Sequence, residues 1–170
     1  MNMKINNNIM RKLIIAVLFA VVSINNVHAQ DNNTFWLGAD ISGTTQLESN
    51  GEKLYNAKGE IRENTALMKE LGLNAIRLRV WVNPRGGWSG AEDVLEMAKR
   101  AKYYGMAVMI DFHYSDWWAD PGKQHIPAAW QYMSYDEMKN AVSEHTQDVL
   151  SLLKKNGINI GKKINYSMQK

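Results

Sequence analysis

The chain has no cysteine among its 170 residues. Disulfides, thiolate metal sites and a thioether-linked lipid anchor are thereby excluded. It also lacks the glycine fingerprints of nucleotide folds: no G-x-G-x-x-G or Walker sequence follows its first apolar run. Nor is there a basic stripe. The formal charge of +3 is a matter of the two ends, because Lys4, Arg11 and Lys12 lie in the first dozen residues and five lysines without an acid close the chain. Between Asp31 and Leu153 twelve Lys/Arg face seventeen Asp/Glu, a balance of −5. This middle is unsuited to a polyanion, and nucleic acid is not an expected partner. An apolar stretch long enough to span a bilayer, roughly twenty residues, is missing too.

The N-terminus does carry a shorter apolar run, Leu13 to Ile24, behind three positive charges and ahead of Val27-His28-Ala29. That order reads as a secretory signal over residues 1–29, removed after Ala29. Export to the periplasm, cell surface or medium is the expectation, with no membrane attachment after cleavage. Residues 30–158 then form the folded part, and 159–170 a divergent, basic, solvated tail.

Within the folded part, apolar runs alternate with helix-length amphipathic segments. Phe35–Ile41 is strand-like, with Trp36 in the core, and Ser42 to Gly59 reads as a loop. Ile61, Leu67, Met68 and Leu71 have helical spacing, closed by Gly72. Ala75–Val82 is a second strand, broken by Asn83-Pro84 and Gly86-Gly87. Ala91–Tyr104 is a helix with Val94, Leu95, Ala98 and Ala101 inward, and Ala107–Tyr114 a third strand. A long loop follows, and Ser134 with Glu137 makes a capping box for the last helix. Repeated strand–helix units predict right-handed crossovers and a parallel sheet in an α/β fold. An open doubly wound sheet and the first part of a (β/α)8 barrel both accept this order. Polar residues at three strand ends (Asp40, Arg79, His113) favour the barrel, whose active face is built there.

Chemistry concentrates at those ends. Arg77 and Arg79 share one strand face and need carboxylate partners; Arg79, nearer the mouth, is the candidate for holding a catalytic carboxylate ionised. Asp111 and His113 share a face, with Phe112 and Tyr114 opposite. His113, Asp116, Asp120 and His125 could ligate a metal, but their spacing fits no metal pattern. The six tryptophans fall in or beside strand and mouth segments. Trp81, Trp88 and Trp117 or Trp118 are candidate platforms for pyranose C–H faces, with carboxylates and guanidiniums for hydroxyls. Asp40, Asp111, Asp116 and Asp120 offer carboxyls, yet none sits where a raised pKa would make it a general acid.

The stretches Gly38-Ala-Asp40-Ile-Ser42, Leu73-Asn-Ala-Ile-Arg77-Leu-Arg79-Val-Trp81-Val-Asn83-Pro84 and Asp111-Phe-His-Tyr-Ser-Asp116-Trp-Trp-Ala-Asp-Pro121 resemble glycoside hydrolase family 53, the arabinogalactan endo-β-1,4-galactanases. The resemblance covers about residues 35–158. It implies the N-terminal portion, about three βα units, of a (β/α)8 barrel, and retaining hydrolysis of β-1,4-galactan or arabinogalactan by two glutamates, without cofactor, in a monomer. It places Asp40, Arg79, Trp81, Asp111, His113, Tyr114, Asp116, Trp117 and Trp118 in the substrate-binding or supporting shell. One family glutamate stands in an Asn-Glu pair ending the fourth strand, the other at the end of the seventh. The sequence beyond Ile158 is neither a valine-rich strand nor an Asn-Glu pair. Both glutamates are expected to be missing from this truncated chain, leaving it inactive alone, a product without function or at most a galactan-binding fragment.

Overall fold

The computed structural model describes residues 35–160 and the backbone of 165–166; the signal reading of residues 1–29 lies outside the described residues. The chain falls into two units, Met1–Phe35 and Trp36–Lys170, and every element named below belongs to the second.

Four parallel strands make the central sheet: β1 (Gly38–Asp40), β4 (Ala75–Val80), β5 (Ala107–Phe112) and β6 (Asn165–Tyr166), in the spatial order β1-β4-β5-β6. Helices α2 (Asn64–Glu70), α3 (Ala91–Tyr103) and α4 (Tyr135–Lys155) follow β1, β4 and β5 in sequence, giving three βα units. The two-residue period of each strand sorts its side chains. Ile76, Leu78 and Val80 of β4, with Val108, Ile110 and Phe112 of β5, form one face, buried with Val94, Leu95, Met97, Ala98 and Ala101 of α3 and Val149 and Leu153 of α4 in one apolar cluster. Arg77, Arg79, Met109 and Asp111 alternate with these and so lie on the other face. In a barrel that second face is the interior.

Helix ends follow their sequence signals. Ser134 Oγ accepts from Glu137 N while the Glu137 carboxylate accepts from Ser134 N, a complete capping box for α4. Gly72, Gly105 and Gly157 take positive φ just beyond α2, α3 and α4, where a Cβ would be strained.

Three expectations fail. The supposed loop at 42–59 contains a short helix α1 (Thr44–Ser49) and the first strand of a hairpin, β2 (Leu54–Tyr55) with β3 (Ile61–Arg62). Elements this short show no periodicity to read. They are fixed by local polar bonds: Asn56 Oδ1 accepts from both Lys58 N and Glu60 N, and buried Thr44 donates to the Ile41 carbonyl at 2.7 Å. Ile61 consequently sits in β3, and α2 starts later, capped by Glu63, whose carboxylate accepts from Thr65 N and Ala66 N. Leu71 lies past the end of that helix and is exposed. Trp36, expected in the core, is 60% exposed, since β1 has no further strand beside it among the described residues. In the tail, Asn165 and Tyr166 pair with Asp111 and Phe112, so these two residues continue the sheet.

These packing roles set an order of cost. Phe112→Ala, at a fully buried position, should lower the unfolding free energy by roughly 3–5 kcal/mol. Ser134→Ala should cost about 1 kcal/mol. Urea unfolding of the two variants checks this, and a larger loss for Ser134→Ala would contradict the assignment of the core.

Candidate active site

Strand register brings the charged residues together. Asp40 lies beside Arg77, and Arg79 beside Asp111, so two guanidiniums and two carboxylates share the inner face. Arg77 bridges them: its Nη1 is 3.1 Å from Asp40 Oδ2, and its Nη2 donates to Asp111 Oδ2. Arg79 Nη1 stands 3.7 Å from Asp40 Oδ2, so both arginines face that carboxylate, Arg77 more closely. Asp40 is fixed from its other oxygen, which accepts from Ser42 N at 3.0 Å and Ser42 Oγ at 2.6 Å. Ser42 Oγ in turn accepts from Arg79 N at 2.8 Å. Ser42, unnoticed in the sequence, couples β1 to β4 at the mouth.

Asp111 is 2% exposed. Burial pushes its carboxyl upward, but the hydrogen bond from His113 Nε2 at 2.9 Å and the charge of Arg77 outweigh that and hold it below the ordinary carboxylate range. Because Nε2 faces a carboxylate, it carries the proton, and Nδ1 is the nitrogen left over. Arg79 is drawn below the usual guanidinium range by burial, against the pull of Asp40; a guanidinium stays charged at any working pH. Both carboxylates stand in ion pairs with Arg77, and Asp111 is held below the ordinary carboxylate range, where a general acid would be raised above it.

The aromatic residues cover the same place. Trp118 lies over the Arg79 guanidinium, 3.7 Å from Cζ to ring centroid, and the Trp81 ring is 4.9 Å from it. Trp117 stacks on Trp81 at 5.5 Å and 22°. Trp81 and His113 meet the Trp118 ring at 5.9 Å and 6.5 Å. Arg79 Nε, Trp81 Nε1 and His113 Nδ1 are all buried and without a hydrogen-bond partner. All three residues ring Trp118. Orphaned polar atoms are rare in cores because each forfeits its solvation. Around one ring stand two unpaired N–H donors, Arg79 Nε and Trp81 Nε1, and one unpaired acceptor, His113 Nδ1.

Two predicted residues do not join this cluster. Tyr114 points to the opposite face, stacked on Phe112 at 5.9 Å and bonded through its hydroxyl to Thr146 of α4 at 2.9 Å. There it lines a separate cavity of about 180 Å³ with Trp130, Met138 and Val142. The strand alternation that set Tyr114 opposite His113 carried this outcome. Asp116 uses both oxygens on backbone: Oδ1 accepts from Asn83 N and Oδ2 from Ala128 N, each at 2.9 Å. The four residues weighed as metal ligands are scattered: Asp120 accepts from Gly122 N, and no metal-binding group of three occurs among the described residues.

His145 of α4, which the sequence reading passed over, packs against Phe112, Tyr114 and Trp130. Burial holds its pKa below the ordinary histidine range, with Asp148 opposing. Both Asp111 and His145 have depressed folded pKa values, so each contributes stability that is fully present above its unfolded pKa and lost as pH falls through the folded one. For His145 the loss begins below about pH 6.5, and for Asp111 only below about pH 4. Asp111→Asn should therefore lower Tm at neutral pH, with the gap to the parent narrowing once pH drops below the carboxylate range. A gap constant from neutral to strongly acid pH would contradict this ion pairing.

Comparison with known proteins bears on the same residues. The sequence model of Glycosyl hydrolase family 53 matches residues 36–165. The endo-beta-1,4-galactanase of Bacillus subtilis is 38% identical over 138 residues, covering 76% of this chain and 32% of the relative. The arabinogalactan endo-beta-1,4-galactanase of Cellvibrio japonicus is 36% identical over 145 residues, 84% of this chain and 38% of the relative. The chain thus spans about a third of the length of these relatives. Among solved structures, a fungal beta-1,4-galactanase aligns with TM-score 0.70 at 33% identity, and the catalytic domain from Ignisphaera aggregans with 0.69 at 38%; each alignment covers 74% of this chain and 37% of the other. The three βα units described are accordingly the N-terminal portion of a (β/α)8 barrel. With the motifs at Asp40, Arg77–Asn83 and Asp111–Pro121 lying inside the matched span, the chain belongs to glycosyl hydrolase family 53.

Proposed function

We propose that this chain supplies the first three βα units, and one wall of the substrate groove, of an exported endo-β-1,4-galactanase that cleaves galactan or arabinogalactan with retention. The observation that carries this is the family match falling on the strand ends where the unpaired buried polar atoms and the stacked indoles lie. The galactanase names of the relatives support the substrate class. The charge pattern of the first 29 residues supports export.

Retaining hydrolysis uses two carboxyl groups about 5–5.5 Å apart, one protonated and one ionised. Asp40 and Asp111 are both engaged by Arg77, and Asp111 is held below the ordinary carboxylate range. The resemblance implies that nucleophile and acid/base are glutamates on strands beyond β5, one of them in an Asn-Glu pair that the 170 residues do not contain. In this reading Arg79 Nε donates to a carboxylate or a sugar hydroxyl in the closed barrel, and His113 Nδ1 accepts from a sugar hydroxyl. A desolvated guanidinium there stabilises negative charge far better than one in water. Trp81 and Trp117 take the apolar face of a galactosyl ring. Nothing in the scheme calls for a metal or cofactor.

Grafting residues 36–158 in place of the matching segment of the Bacillus subtilis relative tests the proposal. The folded chimera should release reducing ends from β-1,4-galactan, and Arg79→Met in it should lower kcat on the order of 10²-fold. The chain alone should release none. A folded but inert chimera, or galactan cleavage by the chain alone, would overturn the reading.

A further inference from the structure

We propose that Asp116 is a positioning residue for the aromatic wall: by tying the loop after β4 to the loop after β5, it sets Trp117 flat against Trp81. The inference rests on the galactanase reading only where it calls that wall a sugar platform. The positioning itself stands on geometry.

The two oxygens of Asp116 are divided between backbone N–H groups in distant parts of the chain, Asn83 and Ala128, at 2.9 Å each. Both donors adjoin a proline, Pro84 and Pro127, whose ring fixes φ and leaves the local backbone little room to follow a displaced partner. Ala128 opens a 3-10 turn that ends at buried Trp130 and receives no side-chain bond from Pro127 at its start. Asp116 supplies that acceptor from outside the turn. A parallel tie runs beside it, Val82 N donating to the Ser115 carbonyl at 2.9 Å.

The residues whose orientation follows are next to these anchors. Trp81 precedes Val82, and its own N–H is held by the Ser89 carbonyl at 2.8 Å. Trp117 directly follows Asp116. It is 57% exposed and has only one weak backbone tie of its own, to Ser115 Oγ at 3.4 Å. The Asp116 bracket, beside the Val82–Ser115 tie, sets the backbone from which its ring meets Trp81. Trp118 is held differently, by the Arg79 cation beneath it. The adjacent tryptophans thus divide the work: Trp117 extends Trp81 into a flat surface, and Trp118 caps the donor cluster. A carboxylate suits position 116 because it offers two acceptor oxygens; an amide offers one.

Circular dichroism of the full chain tests this, since stacked indoles produce an exciton couplet that helices do not. Because Trp81 also lies near Trp118, the measurement is made in the Trp118→Phe background, where the couplet left is that of Trp81 with Trp117 and should vanish when Trp117→Phe is added. Asp116→Ala should lose it with the helical signal retained, and Asp116→Asn, with one acceptor left, should weaken it. Should Asp116→Ala fail to fold, Asp116→Asn decides. An unchanged couplet in the folded Asp116 variants, with only a lowered Tm, would reduce Asp116 to a brace and overturn the proposal. So would a Trp118→Phe chain without a couplet assignable to Trp117. No galactan enters this measurement, so its outcome is separate from that of the chimera.

Discussion

Arg77 is the hinge of the inner face. A buried carboxylate at Asp111 is costly unless a cation stands beside it, and the guanidinium that stands there also reaches Asp40 on the neighbouring strand. Three strands are cross-linked by this one side chain, on the face that carries no apolar core. Everything polar at the mouth depends on it. Asp111 stays ionised, His113 turns Nε2 toward it, and Nδ1 is left for a ligand or another side chain. Arg79, farther from Asp40 than Arg77 is, sits buried under Trp118 with Nε unspent.

The division between the two faces of the sheet is the division between folding and chemistry. Ile76, Leu78, Val80, Val108, Ile110 and Phe112 join the helices in a closed apolar cluster. Among their alternating neighbours Arg77 and Asp111 pair with each other, while Arg79 keeps a buried Nε without a partner. Such a sheet folds against its helices but presents an unfinished interior. That agrees with three units of an eight-unit barrel, and with a matched span of about a third of each relative. The mouth residues are preorganised nonetheless, because backbone ties at Ser42, Ser89 and Asp116 hold the loops in place.

Long elements were legible in the sequence because their periodicity spans several turns or strand pairs. The inner faces of β4 and α3, the capping box of α4 and the glycine stops all appear where the pattern puts them. Short elements were not legible. Helix α1 and the β2–β3 hairpin depend on single side chains, Thr44 and Asn56, that bond backbone only in the folded geometry. At the site, residue types located the mouth correctly, but partner choice was beyond them. Two arginines with the same periodicity differ in role because register sets Arg77 next to Asp40 and leaves Arg79 nearer the tryptophans. Tyr114 shows the converse. Its face followed from alternation, and membership of a motif alone had drawn it toward the site. Asp116 lies in the same motif, and its brace is visible only once Asn83 and Ala128 are brought together.

The inner face is read as a groove wall whose buried, unpaired polar atoms meet partners in the whole barrel. A crystal structure of the barrel chimera with a β-1,4-galacto-oligosaccharide measures this most directly. It should show Arg79 Nε donating to a glutamate carboxylate or a sugar hydroxyl, His113 Nδ1 accepting from a sugar hydroxyl, and a galactosyl ring against Trp81 and Trp117. These atoms still unpaired, with the saccharide lodged instead in the cavity beside Tyr114 and Trp130, would contradict it.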